Sequence, residues 1–277
     1  MHKIIYASGL TGFIGRNLLP ILLESYDDVI NLGKNNKAII YRKDHTEQTQ
    51  ISKSLFSKYP SNTFINLATL YDPSPNSISN FNDLIEANIN FPLNIIENFL
   101  MKTNDDLNIV NTSSYMQLIP LKFQNQYSLS KEIFLNRLKS KTKNIKNLYL
   151  FDSFGKGDTR NKVTDIFIKN IINNKEIKIP SNDIHINLSN VDGICSCIKE
   201  SIFINQGDYS ILSPNTLTLE DLAKKLMKII GKQVNIIKLN FSHDMFKKVT
   251  YLPMNIYPKL PLETFELDLQ KRIDEIK

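Results

Sequence analysis

Cysteine is scarce in this chain. Cys195 and Cys197 are the only two among 277 residues, and they stand one residue apart in an apolar segment. That spacing serves neither a disulfide framework nor a zinc site, so no metal centre is expected. Two buried, reduced thiols fit a cytoplasmic protein. Long apolar runs are missing too. None approaches the ~20 residues that span a bilayer, so no membrane partner is expected. The first strand-like run begins almost at Met1, so no secretory signal is expected. Nor is there a basic patch interleaved with aromatics. Lys and Arg number 34 against 28 Asp and Glu, a net charge of +6, but the lysines are scattered through an Asn-, Ile- and Lys-rich chain. Solvated faces explain them better than a nucleic-acid partner. A field of that sign still favours a doubly charged nucleotide ligand. No internal repeat and no long linker divide the chain.

Hydrophobic residues make up 42% of the sequence, enough for one large domain or two intimate ones. Glycine is sparse, nine in all, yet three fall at one spacing in Ser8-Gly-Leu-Thr-Gly-Phe-Ile-Gly-Arg16. The apolar run Ile4 to Ala7 leads in and Asn17 to Leu23 follows, which reads as strand, tight turn, helix. Gly9, Gly12 and Gly15 let the backbone turn sharply and approach a pyrophosphate, with the free N–H groups of the helix start facing the anion.

Strand-like and helix-like runs alternate through the first half. Strands are expected at Asp28–Leu32, Lys37–Tyr41, Thr63–Ala68, Leu107–Asn111 and Lys146–Phe151. Helices are expected at Ile51–Tyr59, at Leu84–Met101 with a bend or join at Pro92, and at Tyr127–Leu138 with Ile133, Phe134 and Leu138 on its buried side. This βαβ alternation implies a doubly wound, Rossmann-type parallel sheet covered on both faces. After about residue 152 the regularity weakens. Helices are read at Asp165–Asn173, Val191–Phe203, Leu219–Ile230 (capped by Thr218, with Glu220 and Asp221 at its positive end) and Leu262–Ile276. The expectation is a nucleotide-binding domain over 1–160 with later segments interleaved, and a smaller mixed α/β lobe over 161–277.

Tyr127 and Lys131 stand four apart, so on a helix they share a face. A lysine ammonium near a phenol favours the phenolate and is expected to lower the Tyr127 pKa, tuning it to exchange a proton with an alcohol or ketone oxygen. Ser114 ends the strand-like run Ile109–Ser114, and strand C-termini of a parallel sheet open onto the ligand crevice. Its hydroxyl could hold the same oxygen. A Tyr-x-x-x-Lys pair alone is common on helix surfaces. The order of glycine turn, strand-end serine, then Tyr and Lys is what chance rarely gives.

Other segments fit the same order: Asn66-Leu-Ala-Thr69, Glu86-Ala-Asn88, Phe154-Gly-Lys-Gly-Asp158 and Val191-Asp192. With these the chain resembles the extended short-chain dehydrogenase/reductases, the nucleotide-sugar epimerase/dehydratase family, from Ile4 to about Met227. Leu67 to Tyr71, Glu86 to Leu93, Asn111 to Ser114 and Gly155 to Lys162 bring it nearest the branch of CDP-4-keto-3,6-dideoxyhexose reductases, the abequose and paratose synthase type. The resemblance implies a dinucleotide held by Gly9, Thr11, Gly12, Phe13, Ile14, Gly15, Leu67, Ala68, Thr69, Tyr127 and Lys131, with Asp44 on the adenine. It implies catalysis by Ser114, Tyr127 and Lys131, and a nucleotide sugar met by Tyr71, Ser114, Tyr115, Arg160, Asn161 and Lys162. It also implies a homodimer through the Tyr/Lys helix and its neighbour.

Cofactor choice follows from charge. A carboxylate at the end of the second strand binds the 2′-hydroxyl of NAD, whereas a cation accepts the 2′-phosphate of NADP. Asn31 to Lys37 offers Lys34 and Lys37 and no acid, and Arg16 could add a second cation. NADPH is favoured, with NAD as the alternative; plain surface lysines compete with this reading, more for Lys37 than for Lys34. Two family features are missing. Tyr115-Met116 follow Ser114 where dehydratases carry Asp-Glu, which argues against dehydration. The arginine many relatives place near Ile186-Asn187 is absent, leaving Arg160, His185 or a lysine to grip the diphosphate. Asp72 to Pro75 is read as a substrate-side loop or a plain surface turn. The implied reaction is reduction of a nucleotide-linked 4-ketosugar for surface polysaccharide synthesis. A C4-epimerase with tightly held NAD, a reductase of GDP- or dTDP-linked 4-ketosugars, and least of all a non-catalytic dinucleotide-binding protein stand as alternatives.

Overall fold

The computed structural model describes residues 2–71, 78–120, 124–181, 184–240, 255–256 and 265–277. The turn between Gly9 and Gly12 joins β1 (Ile4–Ser8) to α1 (Phe13–Leu23). Then come β2 (Asp28–Leu32), β3 (Lys37–Tyr41), β4 (Thr46–Gln50), α2 (Lys53–Lys58) and β5 (Thr63–Asn66). A helical stretch over 78–103 is α3, followed by β6 (Asn108–Ser114), α4 (Gln126–Lys141), β7 (Ile145–Leu150) and β8 (Asp152–Phe154). The rest is α5 (Val163–Ile172), β9 (Ile177–Pro180), β10 (His185–Asn190), α6 (Val191–Ser201), β11 (Gly207–Ile211), β12 (Thr216–Thr218), α7 (Leu219–Ile230), β13 (Ile236–Leu239), β14 (Asn255–Ile256) and α8 (Phe265–Ile276).

Nine strands form one sheet in the order β14-β11-β7-β6-β5-β1-β2-β3-β4. From β14 to β2 every neighbour is parallel. The order reverses at β1, which lies between β2 and β5 and so opens a crevice at its C-terminal end. The central strands are apolar on both faces because helices cover both. Ile5 and Ala7 face α1 and α6, while Tyr6 points to the cluster under α2, α3 and α4. Cys195 and Cys197 sit in the first of these clusters as buried free thiols. A third core lies between α5, α7, α8 and the small sheets β12-β10-β8 and β13-β9. Thr218 caps α7 through a capping box with Asp221.

One row of the large sheet is polar. Ser8, Asn66, Asn111, Asn147 and Asp208 are register partners. Ser8 Oγ donates to Asn66 Oδ1 (2.8 Å), Asn66 Nδ2 to Asn111 Oδ1 (3.0 Å), Asn111 Nδ2 to Asn147 Oδ1 (2.8 Å) and Asn147 Nδ2 to Asp208 Oδ1 (2.9 Å). Lys139 of α4 closes the line on Asp208 at 2.7 Å. Each buried amide therefore has its partner, as burial demands, and the row ties β1 to the helix that carries Tyr127 and Lys131.

Two expectations need correction. The alternation predicted parallel pairing throughout, but β3 and β4 are antiparallel, β3 to β2 and β4 to β3. Asn35 and Asn36 both have positive φ, 59° and 54°, and Lys37 N bonds back to Lys34 O at 3.3 Å. That is the geometry of a hairpin turn whose twist matches its strands, so no crossover helix intervenes. β4 itself, Thr-Glu-Gln-Thr-Gln, is a polar, exposed edge without an alternating signal. Second, Ile133 is 50% exposed. The buried face of α4 carries Tyr127, Lys131, Phe134 and Leu138, and Ile133 lies about 200° round from Lys131. The join expected at Pro92 is found as a change of helix type: a π turn passes into the α-helical segment Phe91–Ile95, with Pro92 in its first turn. The helix widens into π turns at Glu86–Asn90 and Ile96–Leu100 and runs on through Pro92, with Phe91 N bonding Glu86 O. The wider turn accommodates a residue that has no N–H to give.

Candidate active site

A cavity of about 590 Å³ opens at the crevice beside β1. Its floor is backbone. Gly12 N bonds Gly9 O at 3.0 Å, closing the turn. Gly9 has φ +78°, and a Cβ there would come within 2.7 Å of Ala68 N. A Cβ on Gly15 would collide with the Gly9 carbonyl and the Leu10 backbone. Larger residues are thus excluded at both positions. The first turn of α1 has no side-chain cap and no acidic residue, so its N–H groups stay open to an anion. A dinucleotide pyrophosphate fits that cradle. Lys34, at the end of β2, lines the same cavity.

Ser114, Tyr127 and Lys131 meet above this floor. Ser114 ends β6; its Oγ accepts from Met116 N (3.3 Å), and Gln117 Oε1 accepts from Ser114 N (2.9 Å). Asn125 caps α4 through Ser128 N at 2.9 Å, which starts the helix at Gln126, one residue before Tyr127. Asn88, placed by the first π turn, binds both backbone polar groups of Leu70 (2.7 and 3.1 Å) and Ser130 Oγ (2.9 Å). It thereby pins the segment after β5 to α4. Tyr71 then lies edge-on to Tyr127, ring centroids 5.1 Å apart.

The electrostatics differ from expectation. Burial pushes the Tyr127 phenol up to about 12, and hydrogen bonds with Thr69 and Ser114 only partly oppose it. Lys131 does not set this value. Its Nζ donates to Thr112 O at 2.7 Å, and burial lowers its own pKa to about 8. Desolvation of the Tyr127 phenol therefore outweighs any pull from the lysine beside it. Without ligand, Tyr127 is therefore a firmly protonated phenol.

The other side of the cavity is built on β8 and the turn after it. Phe151 stacks on Tyr115 at 5.3 Å. Arg160 forks onto Asp158 (2.8 and 2.7 Å), donates to Ser153 O (2.9 Å), and lays its guanidinium 4.1 Å from the Phe13 ring centroid. Lys162 Nζ stands 3.8 Å from the Tyr71 ring centroid. Asp152 also lines the cavity, and burial raises its pKa to about 6. Sequence reasoning passed over Asp152; a carboxylate just past the end of a parallel strand was the available signal.

Most of the expected site residues converge: Gly9, Thr11, Gly12, Phe13, Ile14, Gly15, Lys34, Leu67, Ala68, Thr69, Tyr71, Ser114, Tyr115, Tyr127, Lys131, Arg160 and Lys162 all line the cavity. Asp44 does not. The hairpin reverses the chain, so the β3–β4 turn lies at the N-terminal end of β2, where Arg42 binds Asp28 at 2.6 Å and Asp44 pairs with His45 at 2.8 Å. An adenine at the C-terminal crevice is out of its reach. Arg16 is also outside the lining. It points along α1 to Gly157 O at 3.3 Å, so it adds no charge beside Lys34. Asn161, at φ 54°, accepts from Lys169 at 3.3 Å outside the lining. Lys37 and His185 do not line the cavity either. The expected loop Asp72 to Pro75 lies outside the described residues. Among the described residues no His/Cys/Asp/Glu group could hold a metal, and no helix is long and apolar enough to cross a membrane.

A crevice of this kind, with a hydroxyl, a phenol and a lysine over a dinucleotide cradle, places the protein among the Rossmann-fold dehydrogenase/reductases. Residues 5–186 match the NAD dependent epimerase/dehydratase family, and the chain belongs to it, as an NAD(P)-dependent enzyme that modifies nucleotide sugars. It is 25% identical to a CDP-abequose synthase of Yersinia pseudotuberculosis over 269 residues, 91% of this chain and 94% of that protein. Pal from Bacillus thuringiensis superposes with a TM-score of 0.75 at 20% identity, covering 99% of this chain and 100% of that one. A UDP-N-acetylglucosamine 4-epimerase from Methanobrevibacter ruminantium M1, in complex with UDP-N-acetylmuramic acid, does so with a TM-score of 0.76 at 17% identity, covering 99% and 97%. At these identities the two structures establish a shared fold.

Proposed function

We propose that this protein uses NADPH to reduce the C4 ketone of a nucleotide-linked 4-keto-deoxysugar, in first place a CDP-4-keto-3,6-dideoxyhexose, toward a surface polysaccharide. The observation that carries this reading is the buried, protonated Tyr127 in the cleft onto which the glycine turn opens. A phenol that rests protonated is in the form that can give a proton to a developing alkoxide, which is the role reduction requires. The likeness to CDP-abequose synthase across 91% of the chain supports the CDP sugar.

When bound, the nicotinamide would supply the hydride to C4. Tyr127 donates its proton to O4. Ser114, whose oxygen already accepts from Met116 N, turns its own hydroxyl proton toward the same carbonyl and fixes its orientation. Lys131, anchored on Thr112 O, holds the nicotinamide ribose. Lys34 accepts the 2′-phosphate, there being no acid from Asn31 to Lys37 to bind a ribose hydroxyl instead. Arg160 and Lys162 bring the positive charge that the missing arginine near Ile186-Asn187 would have given the diphosphate. Residues 1–160, joined by β11 and β14, take the cofactor, and 161–277 take most of the nucleotide sugar. Exposed Ile133 marks the α4 face on which a homodimer would pack.

The test is NADPH oxidation, followed at the nicotinamide absorbance, with CDP-4-keto-3,6-dideoxyglucose and with dTDP-, GDP- and UDP-linked 4-ketosugars. Rapid turnover of the CDP sugar alone supports the full reading. Turnover of another sugar keeps the reaction and changes the substrate. No turnover by protein that binds NADPH, with NAD found in the purified protein and C4 epimers interconverted, replaces the reductase by an epimerase.

A further inference from the structure

Asp152 is the one carboxylate among the described residues lining the cavity. Part of the residue is accessible, but its Oδ2 is sealed from solvent and has no hydrogen-bond partner among the described residues. The two cations close enough to be felt do not pair with it. Arg160 is committed to Asp158 and Ser153, and Lys162 sits over the Tyr71 ring. Its register neighbour on β10 is Leu188, which offers no donor from its side chain. A carboxylate with one oxygen sealed from water and unpartnered is costly to ionise, and a protein does not need one there to fold.

Its place in the fold shows what could meet it. β7 runs beside β6 with Leu150 opposite Ser114, and Asp152 lies two residues further on, where the chain leaves the large sheet for the small one. At ~3.3 Å per residue and ~4.8 Å between strands, it stands no more than roughly 12 Å from Ser114. A sugar ring with its carbonyl on Ser114 and Tyr127 has its other substituents within that span. A phosphate there would be repelled, so the fitting ligand group is a hydrogen-bond donor.

We propose that Asp152 is a specificity-determining residue that accepts a hydrogen bond from a hydroxyl or amino group on the sugar ring of the nucleotide-sugar substrate. The proposal rests on the substrate class given above and extends it: the sugar must carry a donor away from its reacting ketone. Donor binding favours the ionised carboxylate, so the nucleotide sugar displaces a proton wherever the free group is partly protonated. With burial holding that group near 6, against the pull of Lys162 and Arg160, affinity falls as pH drops through this range.

The experiment is calorimetric titration of the NADPH-loaded protein and its Asp152→Asn variant with CDP-, dTDP-, UDP- and GDP-glucose, which are not ketones. Each matching nucleoside diphosphate is titrated beside its sugar. At about pH 7.5 the variant should bind the preferred glucose nucleotide at least roughly tenfold more weakly, the loss of one charge-assisted hydrogen bond. NADPH and the nucleoside diphosphate should change by less than about twofold. At about pH 6, wild type should release part of a proton on binding the sugar nucleotide and the variant none. The variant's melting temperature should equal or exceed wild type at about pH 8, since a buried unpaired charge has gone. Unchanged sugar affinity, equal loss for the diphosphate alone, or a lower melting temperature would each overturn the proposal, the last marking Asp152 as a structural partner. If wild type binds no nucleotide sugar at all, the substrate class itself falls, and this inference with it.

Discussion

The two sides of the cleft are made of different material. The glycine-turn side is backbone: Gly9 packs against Ala68 and Gly15 against Leu10, with no room for a Cβ at either. The β8 side is side chain: Asp152, Arg160 and Lys162, carried by a short strand and a turn, set its charge. Backbone geometry is shared by any sequence that can adopt it, so the first side suits a ligand that does not change. Side-chain chemistry changes with single substitutions, so the second suits a ligand on which relatives differ. Tyr127 and Ser114 stand between the two and belong to neither.

That contrast can be broken. The largest effect should come from the boundary: Tyr127→Phe is expected to lower turnover by ~10²–10⁴-fold while leaving NADPH and nucleotide-sugar affinity unchanged in fluorescence titrations. A comparable loss of either affinity would mean that the phenol belongs to one side. Next, Gly15→Ala should destabilise the fold by about 3 kcal/mol in urea unfolding and abolish NADPH binding, because the added Cβ overlaps the Gly9 carbonyl. Lys162→Ala, on the other side, should change stability by no more than about 0.5 kcal/mol and raise only KM for the sugar. Equal destabilisation by the two would erase the distinction.

Lys131 sharpens the comparison through pH. Its ammonium is penalised by burial, with a folded-state pKa of about 8 against ~10.4 in the unfolded chain. Below pH 8 both states carry the proton and the full penalty applies; above ~10.4 neither does, and the penalty vanishes. Wild type should therefore gain stability relative to Lys131→Met as pH rises from about 8 to 10, by an amount on the order of 2 kcal/mol in denaturant melts. The smallest effect is expected at Lys34. Lys34→Ala should weaken NADPH binding by about tenfold and NADH binding hardly at all, since only one of them carries the 2′-phosphate.

The glycine turn was legible because its physics is local. A sharp turn, a close backbone approach and a helix start all fall within Gly9 to Arg16, and the structure builds them there. Tyr127 and Lys131 were legible for the same reason, since one helical turn puts them on one face. The hairpin at Asn35-Asn36 was also written locally, as two residues tolerant of positive φ, but the expected alternation of strand and helix obscured it. Asp44 failed with it: a reversal of chain direction moves every later residue to the other end of the sheet until the next reversal. Ile133 failed because an apolar residue in a helix does not by itself say which way the helix faces.

By itself, then, the sequence determined the glycine turn and the shared face of Tyr127 and Lys131, because each rests on contacts a few residues apart. Tertiary structure alone decided the charge states. The Tyr127 phenol is protonated, the Lys131 pKa is drawn down to about 8 and Asp152 is poised near pH 6, because of what the rest of the fold excludes from around them. Desolvation is a property of the packed whole, and no spacing of residues along a chain records how much water will be left beside any one of them.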